Sequence, residues 1–518
     1  MSVSSGVSLG LRAFSGALWT IATSIGSRAL GVVGTLILTR FIAPDAYGNV
    51  AVAMAVILTA NQFSTLGIGQ YVIANPASGR EATFHAVVSH VALGAVVFGA
   101  VVLWRHPLGQ FVGAPDMASL VPGLALAALV DRISYIPERV LLRDLRFRLV
   151  AVARMLGNLA YTVVSVAFAV AGWGGGAIVM GNLARSLARL AMIAGAADHR
   201  EWLAPSAIRV RRLREILAFG LPISIGALAA FAARRWDTLL VSRFFGPGPA
   251  GTYNLAYNLA EIPVVHVGEH VGEVLLPSFA QMEPARRPEV LARSLRLLSL
   301  VMFPLGLGLG AIAPTLVRAV LDPAWQSVGP MLTVLAALSA AGPIGSLVGS
   351  YLQALHRPRA LMTLEGVKLL AVLLLITTVG RLGPLWVCVA VAVGFSAHAL
   401  ASLWFVARVE GTPAGTLIRE LARPLVACSP MLAAVVGVRA GSAALGFTAP
   451  VLLLFSETVA GGVVYVAATL LVNREAARDL AGLARRSLLP LGSGPAATRL
   501  GQHSGTDIPP GEEEPPRR

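Results

Sequence analysis

Apolar stretches long enough to cross a bilayer recur along the chain, near 14–39, 47–73, 83–104, 118–142, 149–171 and 175–196. A polar, basic connector, Asp198 to Arg214, interrupts the pattern. Eight more stretches come after it, near 215–243, 250–277, 291–314, 329–355, 360–380, 384–407, 421–441 and 449–472. About 20 apolar residues span the hydrocarbon core, so each stretch predicts a transmembrane helix. The pattern predicts an all-α polytopic membrane protein with 14 transmembrane helices. The first stretch is too long for a signal-peptide core and lacks a small-residue cleavage site, so it is expected to stay as an anchor. Residues 473–490 place Leu480, Leu483 and Leu488 on one face among arginines, as in a helix lying on the membrane surface. From 491 to 518, Gly, Pro, Ser and the closing GEEEPPRR read as a disordered tail.

Composition agrees, with 56% apolar and only 13% charged residues and a mean hydropathy of +0.73. Soluble proteins carry about 25% charged residues, so this chain could not cover a water-facing surface. Soluble enzymes and DNA-binding factors are excluded as the main reading. The net charge of +15 comes from 40 arginines and Lys368, scattered rather than clustered, and points to no nucleic-acid partner. Cys388 and Cys428 both fall inside apolar stretches and imply neither a disulfide framework nor a metal cluster. No cofactor and no metal are expected.

Arginines in the short loops set the orientation. With both termini in the cytoplasm, 24 loop arginines fall inside, and only six fall outside: Arg40, Arg105, Arg243, Arg318, Arg381 and Arg439. One miscounted helix would destroy that asymmetry.

The chain also repeats itself. Thr39-Arg40-Phe41-Ile42-Ala43-Pro44-Asp45-Ala46-Tyr47-Gly48 aligns with Ser242-Arg243-Phe244-Phe245-Gly246-Pro247-Gly248-Pro249-Ala250-Gly251 at an offset of 203 residues. A weaker echo pairs Gly113-Ala114-Pro115 with Leu321-Asp322-Pro323. An even number of helices separates equivalent points, so the halves share one orientation and are related by an axis along the membrane normal. Such parallel repeats are a transporter plan, with substrate bound between halves that rock. The expected organisation is a six-helix bundle over 1–197, the connector 198–214, a second six-helix bundle over 215–410, two further helices within 411–472, the surface helix and the tail.

These residues also carry a family resemblance. The RxFxxPxxxG turns, LLRDLRFR (141–148), LDPAWQSVGPMLTVLAAL (321–338) and SYLQALHRPRALMTLEGVK (350–368) are together similar to one transporter branch. That branch is the polysaccharide transporter (Wzx-type oligosaccharide flippase) group of the multidrug/oligosaccharidyl-lipid/polysaccharide exporter superfamily. The resemblance covers roughly residues 10–410. It implies two six-helix bundles around a central cavity plus two helices. It further implies passage of undecaprenyl-diphosphate-linked oligosaccharide from the cytoplasmic to the outer leaflet of a bacterial inner membrane, with membrane lipids, a polysaccharide polymerase and chain-length machinery as further partners.

Charge within the spans supplies candidate sites, because an ionised side chain at mid-bilayer costs about 2.5–3.5 kcal/mol on insertion scales. Seven arginines qualify: Arg28, Arg132, Arg154, Arg185, Arg189, Arg234 and Arg235. Arg154 and Arg189 are expected to snorkel toward headgroups. Arg28, Arg132, Arg185, Arg234 and Arg235 are the candidates for holding a diphosphate, whose oxygens match the guanidinium fork. Arg28 is expected to face Arg234 and Arg235 across the cavity. Asp131 with Arg132, and Asp237 with Arg234, read as structural pairs.

A second cluster, Glu261, His266, Glu269, His270 and Glu273, falls on and after the polar face Asn254, Tyr257, Asn258 and Glu261, with a kink expected at Pro263. Histidines beside carboxylates suggest an ion-coupling site, and the competing reading is a polar seam that satisfies the neighbouring arginines. His266 to His270 also reads H-x-x-E-H, an inverted zinc-peptidase pattern without a persuasive third ligand. Glu365 is expected to pair with Lys368, Glu457 stands apparently unpaired, and His85, His90 and His398 read as packed polar residues.

Other readings are a peptidoglycan-precursor flippase, a cation-coupled drug exporter and a membrane enzyme. A drug exporter of organic cations needs an acidic cavity. A polysaccharide polymerase or ligase needs a sizeable outer loop, and the longest here, near 105–117 and 315–328, hold no nucleophile and base. The chain is therefore expected to have no catalytic residues.

Overall fold

The computed structural model of the chain describes residues 30–472, apart from 32, 75–78, 204, 205, 208, 264–278, 280, 281, 356, 412 and 448. Its long helices are α1 (Pro44–Thr65), α2 (Gly79–Leu103), α3 (Met117–Arg143), α4 (Phe147–Val170), α5 (Gly175–Ala196), α6 (Val210–Phe245) and α7 (Pro247–Pro263). They continue with α8 (Arg287–Val320), α9 (Val328–Leu335), α10 (Ala337–Ala354), α11 (Pro358–Thr378), α12 (Pro384–Glu410), α13 (Ala414–Ala444) and α14 (Pro450–Val472). Among the described residues, 10 helices are long and apolar enough to cross a membrane. Helices are what a bilayer selects, because each backbone polar group finds its partner within the segment. Large apolar side chains point outward, among them Val96, Leu103, Leu370 and Phe455 at 68–77% exposure, where lipid rather than water is the favourable neighbour. The chain is a multi-pass membrane protein.

Four of the predicted spans depart from one uninterrupted apolar helix. The first is described only from residue 30. α6 is 36 residues long and begins at Val210, so Arg211, Arg212 and Arg214 lie on its first turns rather than in the connector. At 1.5 Å per residue it exceeds the bilayer core by more than 20 Å, roughly, which leaves its basic end outside. α7 ends at Pro263, and the remainder of that span, 264–277, lies outside the described residues. The span near 329–355 is two helices that meet at Ala336. Pro343 lies inside the second of them, seven residues beyond the junction.

The repeated turns meet each other. A Cβ added to Gly48 would stand 1.8 Å from the carbonyl oxygen of Pro247, and one added to Gly251 would stand 2.3 Å from that of Pro44. Pro44 and Pro247, like Gly48 and Gly251, are equivalent under the 203-residue offset, so the contact is reciprocal, as a two-fold axis between α1 and α7 requires. The weaker echo behaves alike. The Trp325 indole donates to the Thr39 carbonyl at 3.0 Å, and a Cβ on Gly113 would meet the Ser242 carbonyl at 2.6 Å, where Ser242 aligns with Thr39. Only glycine allows backbones this close. At its other end α1 turns through Leu66 and Gly67, both left-handed (φ 44° and 60°), and there the Leu66 carbonyl lies 1.9 Å from where a Cβ on Gly220 of α6 would be.

Candidate functional site

Helical spacing concentrates charge on three helices of the first half. Asp131, Tyr135, Glu138 and Arg139 occupy one side of α3, Arg154 and Asn158 come from α4, and Arg185 and Arg189 come from α5. Together they line a cavity of about 480 Å³. Two carboxylates, Asp131 and Glu138, stand here against Arg132, Arg139, Arg154, Arg185 and Arg189, so the charge is only partly compensated. Glu138 accepts from Arg154 at 2.6 Å and from Arg189 at 2.7 Å, and Arg189 also reaches Asp131 at 3.1 Å. Arg154 and Arg189 thus hold carboxylates, in place of the expected reach toward headgroups. Asp131 pairs with Arg189 and not with its neighbour Arg132, because successive residues on a helix point to different sides.

Arg132 is only 2% exposed and serves the backbone. Its guanidinium donates to the carbonyls of His90 (2.8 Å), Asn61 (3.0 Å) and Ser64 (3.3 Å) and to the hydroxyl of Ser64, with its plane near Phe98. It pins α3 to α1 and α2 and has little left for a ligand.

Arg185 is different. Its guanidinium lies over the Tyr161 ring at 4.1 Å, its one hydrogen bond is a long 3.4 Å contact to Asn182, and no carboxylate lies within ion-pair distance among the described residues. It faces both the cavity just described and a second one of about 520 Å³. The second cavity is walled by Thr35, by Tyr47 and Met54 of α1, by α4 and α5, and from the other half by Arg235 on α6 and Asn254, Asn258 and Glu261 on α7. Arg235 donates to Asn258 at 3.3 Å and stands 3.6 Å from Glu261. One arginine from each half therefore enters a single central space, which Glu261 also lines.

Arg234 points elsewhere. It stands 3.7 Å from the other oxygen of Glu261 and lines a third cavity, of about 540 Å³, between α6, α7, α10, α11 and α12. Glu261 is the wall shared by the central and third cavities. Both of its ion pairs are too long for hydrogen bonds, so both arginines keep free donors. Asn258 and Glu261 face the arginines of α6, Asn258 through one hydrogen bond to Arg235 and Glu261 through two long ion pairs. Arg28, His266, Glu269, His270 and Glu273 lie outside the described residues.

Other pairings also differ from the sequence expectations. Asp237 accepts from the Tyr253 hydroxyl at 2.6 Å and from the Thr238 amide at 2.7 Å, which corrects its assignment to Arg234. Glu457 is not unpaired: Arg439 grips it at 2.8 and 3.1 Å, and Thr315 donates to it at 2.9 Å. Lys368 is bonded to Glu365 as expected, and His398 stands 3.5 Å from the same carboxylate. Asn158, Tyr161 and Asn182 are site residues that sequence reasoning passed over; the i, i+3 spacing of Asn182 and Arg185 was the available signal. Among the described residues no group of His, Cys, Asp and Glu is arranged to hold a metal ion.

Residues 37–330 match the family model described as polysaccharide biosynthesis protein. The chain belongs to this family. Its relatives are named for more than one polymer. Lipopolysaccharide biosynthesis protein WzxC of Escherichia coli (strain K12) is 27% identical over 358 residues, 68% of this chain and 72% of its own. Succinoglycan biosynthesis transport protein ExoT of Rhizobium meliloti (strain 1021) is 25% identical over 476 residues, 90% of this chain and 94% of its own. In three dimensions the chain is similar to lipid II flippase MurJ in an inward closed conformation, with a TM-score of 0.73 over 89% of this chain and 99% of that one, at 14% identity. The fold of this polysaccharide biosynthesis family member is therefore the fold of that flippase.

Proposed function

We propose that the chain is a flippase of a bacterial inner membrane that moves undecaprenyl-diphosphate-linked oligosaccharide from the cytoplasmic to the outer leaflet, for lipopolysaccharide, capsule or exopolysaccharide synthesis. The observation that carries this reading is the central cavity, where Arg185 and Arg235 enter from opposite halves with donors to spare. Two guanidinium groups against one carboxylate leave a positive site, which suits a diphosphate and opposes an organic cation. A cation-coupled drug exporter is disfavoured on that ground. Reaction chemistry is not required of any residue in this reading, because the substrate leaves unchanged.

Residues 1–197 and 215–410 act as two bundles that rock about the axis between α1 and α7, and both termini are cytoplasmic, as the loop arginines favour. Arg28 stays a candidate for the cationic lining from its place in the sequence, Arg234 lines the adjoining cavity, and Arg132 acts as an anchor. Glu261 is the ion-coupling candidate that touches the substrate arginines, with His266, Glu269, His270 and Glu273 on the same stretch of chain. A polymerase and chain-length machinery in the outer leaflet are the expected partners.

The test is a deletion strain complemented by wild type, Arg185→Ala or Arg235→Ala, assayed for surface polysaccharide and for lipid-linked oligosaccharide held in the inner leaflet. Removing one partner of a desolvated charge pair costs about 2–5 kcal/mol, so each variant is expected to lower export at least about tenfold while inserting normally. Wild-type export by both variants would end the proposal.

A further inference from the structure

The third cavity, beside the central one, has a different chemical character. Its charges come nearer to balance: Arg234 and Lys368 face Glu365, which is its own, and Glu261, which it shares with the central cavity. A site of this kind has less surplus charge with which to hold a phosphate than the central cavity has. It does have hydrogen-bonding capacity of both kinds, from the bonded pair Glu365 and Lys368, from His398 at 3.5 Å, and from Ser346, Ser350 and Gln353 on α10. Phe395 supplies an aromatic surface, with the Lys368 ammonium 5.3 Å from its centre.

The glycines that border this cavity are unlike Gly48 and Gly251. A Cβ on Gly345 would come no nearer than 3.7 Å to any atom, one on Gly349 no nearer than 3.6 Å, and one on Gly366 would meet nothing within 4 Å. Helix packing does not demand glycine at any of the three. Glycine inside a helix costs roughly 0.5–1 kcal/mol relative to alanine. What their bareness provides is volume, and about 540 Å³ lies within the range of sites for small organic ligands.

We infer that this cavity is a saccharide subsite, which takes the uncharged sugars next to the diphosphate and hydrogen-bonds their hydroxyls through Glu365, Lys368 and His398. The inference rests on the flippase reading and deepens it. A lipid-linked oligosaccharide is bipartite, an anion followed by a chain of hydroxyls. The two cavities that share Glu261 repeat that order, the more cationic one and then the one richer in paired donors and acceptors. Sugars need donors and acceptors together with a partly apolar wall, and a buried polar site that loses its partner hydroxyl discriminates strongly against the ligand that lacks it.

The experiment compares two probes with the same lipid tail on the purified full chain: undecaprenyl diphosphate, and undecaprenyl-diphosphate-linked oligosaccharide extracted from the bacterium that makes this protein. Wild type is expected to bind the glycosylated probe about tenfold or more tighter. Gly345→Leu, which fills the cavity, and Glu365→Gln, which breaks the bonded cluster, are each expected to weaken binding of the glycosylated probe about tenfold and leave the bare diphosphate unchanged. Retained binding of the bare diphosphate also reports that a variant is folded. Equal affinity of wild type for the two probes, or equal loss of both in the variants, overturns the subsite. Failure of wild type to bind undecaprenyl diphosphate at all would instead overturn the flippase reading.

Discussion

Gly48→Val is expected to abolish export while the protein still reaches the membrane, and Gly251→Val is expected to do the same. A side chain at either position meets a backbone carbonyl of the other half, at 1.8 Å from Gly48 and 2.3 Å from Gly251, and backbone cannot rotate out of the way. Relief to ordinary contact requires α1 and α7 to separate by more than 1 Å, roughly, which interiors of native density do not absorb locally. The penalty falls only on conformations in which the two turns touch. Any conformation in which they stand apart is spared, so the substitution shifts the population toward it. With the turns on the outer side, the topology that the loop arginines favour, the variants stay open outward and cannot complete the cycle. Asn254→Cys, in the central cavity, reports this: its labelling by an impermeant maleimide added from outside should rise severalfold when Gly48→Val is present. Cys388 and Cys428 are both buried and leave the background low. Gly99→Val and Gly437→Val, whose new side chains start in open space, are expected to export normally. Normal export by Gly48→Val, with unchanged labelling, would rule out a role for this contact in the cycle.

The reach of the sequence differs from feature to feature, for physical reasons. Membrane helices are legible because a bilayer demands a long apolar run whatever the neighbours are. Ten predicted spans accordingly recur as long apolar helices. The repeated turn is legible too, since Gly48 and Gly251 are required by backbone approach, which only glycine permits. Side-chain facing is not. Arg234 and Arg235 are adjacent, yet one lines the third cavity and the other the central cavity, because a helix turns about 100° per residue. Arg132 reads in the sequence as a diphosphate ligand or a partner of Asp131 and is bonded to three carbonyls, two of them about 70 positions earlier in the chain, a separation at which no spacing rule operates. Spacing alone puts Arg439 in an outer loop and gives Glu457 no partner, because the two residues lie on successive helices and meet only when α13 and α14 pack.

That last pair predicts the largest loss of stability. Glu457 is fully buried on α14, gripped by Arg439 of α13, while Thr315 of α8 donates to its first oxygen and the Arg439 guanidinium also reaches the Ala311 carbonyl at 2.5 Å. One charged cluster thus fastens the final two helices to α8. Removing Arg439 leaves Glu457 charged with no solvent and no counterion, which costs about 3–5 kcal/mol, whereas replacing both partners by apolar residues of similar size is often neutral. Arg439→Leu and Glu457→Leu are each expected to lower the unfolding midpoint in detergent by several degrees or more. The double variant is expected to recover most of the loss, since an apolar cavity already adjoins the cluster at Met431, Val435 and Gly461. A thermal melt of wild type, both single variants and the double variant measures this coupling directly. If the single variants melt with wild type, the cluster does not hold the helices. If the double variant is as unstable as the sum of the singles, the two residues act independently and the contact is incidental.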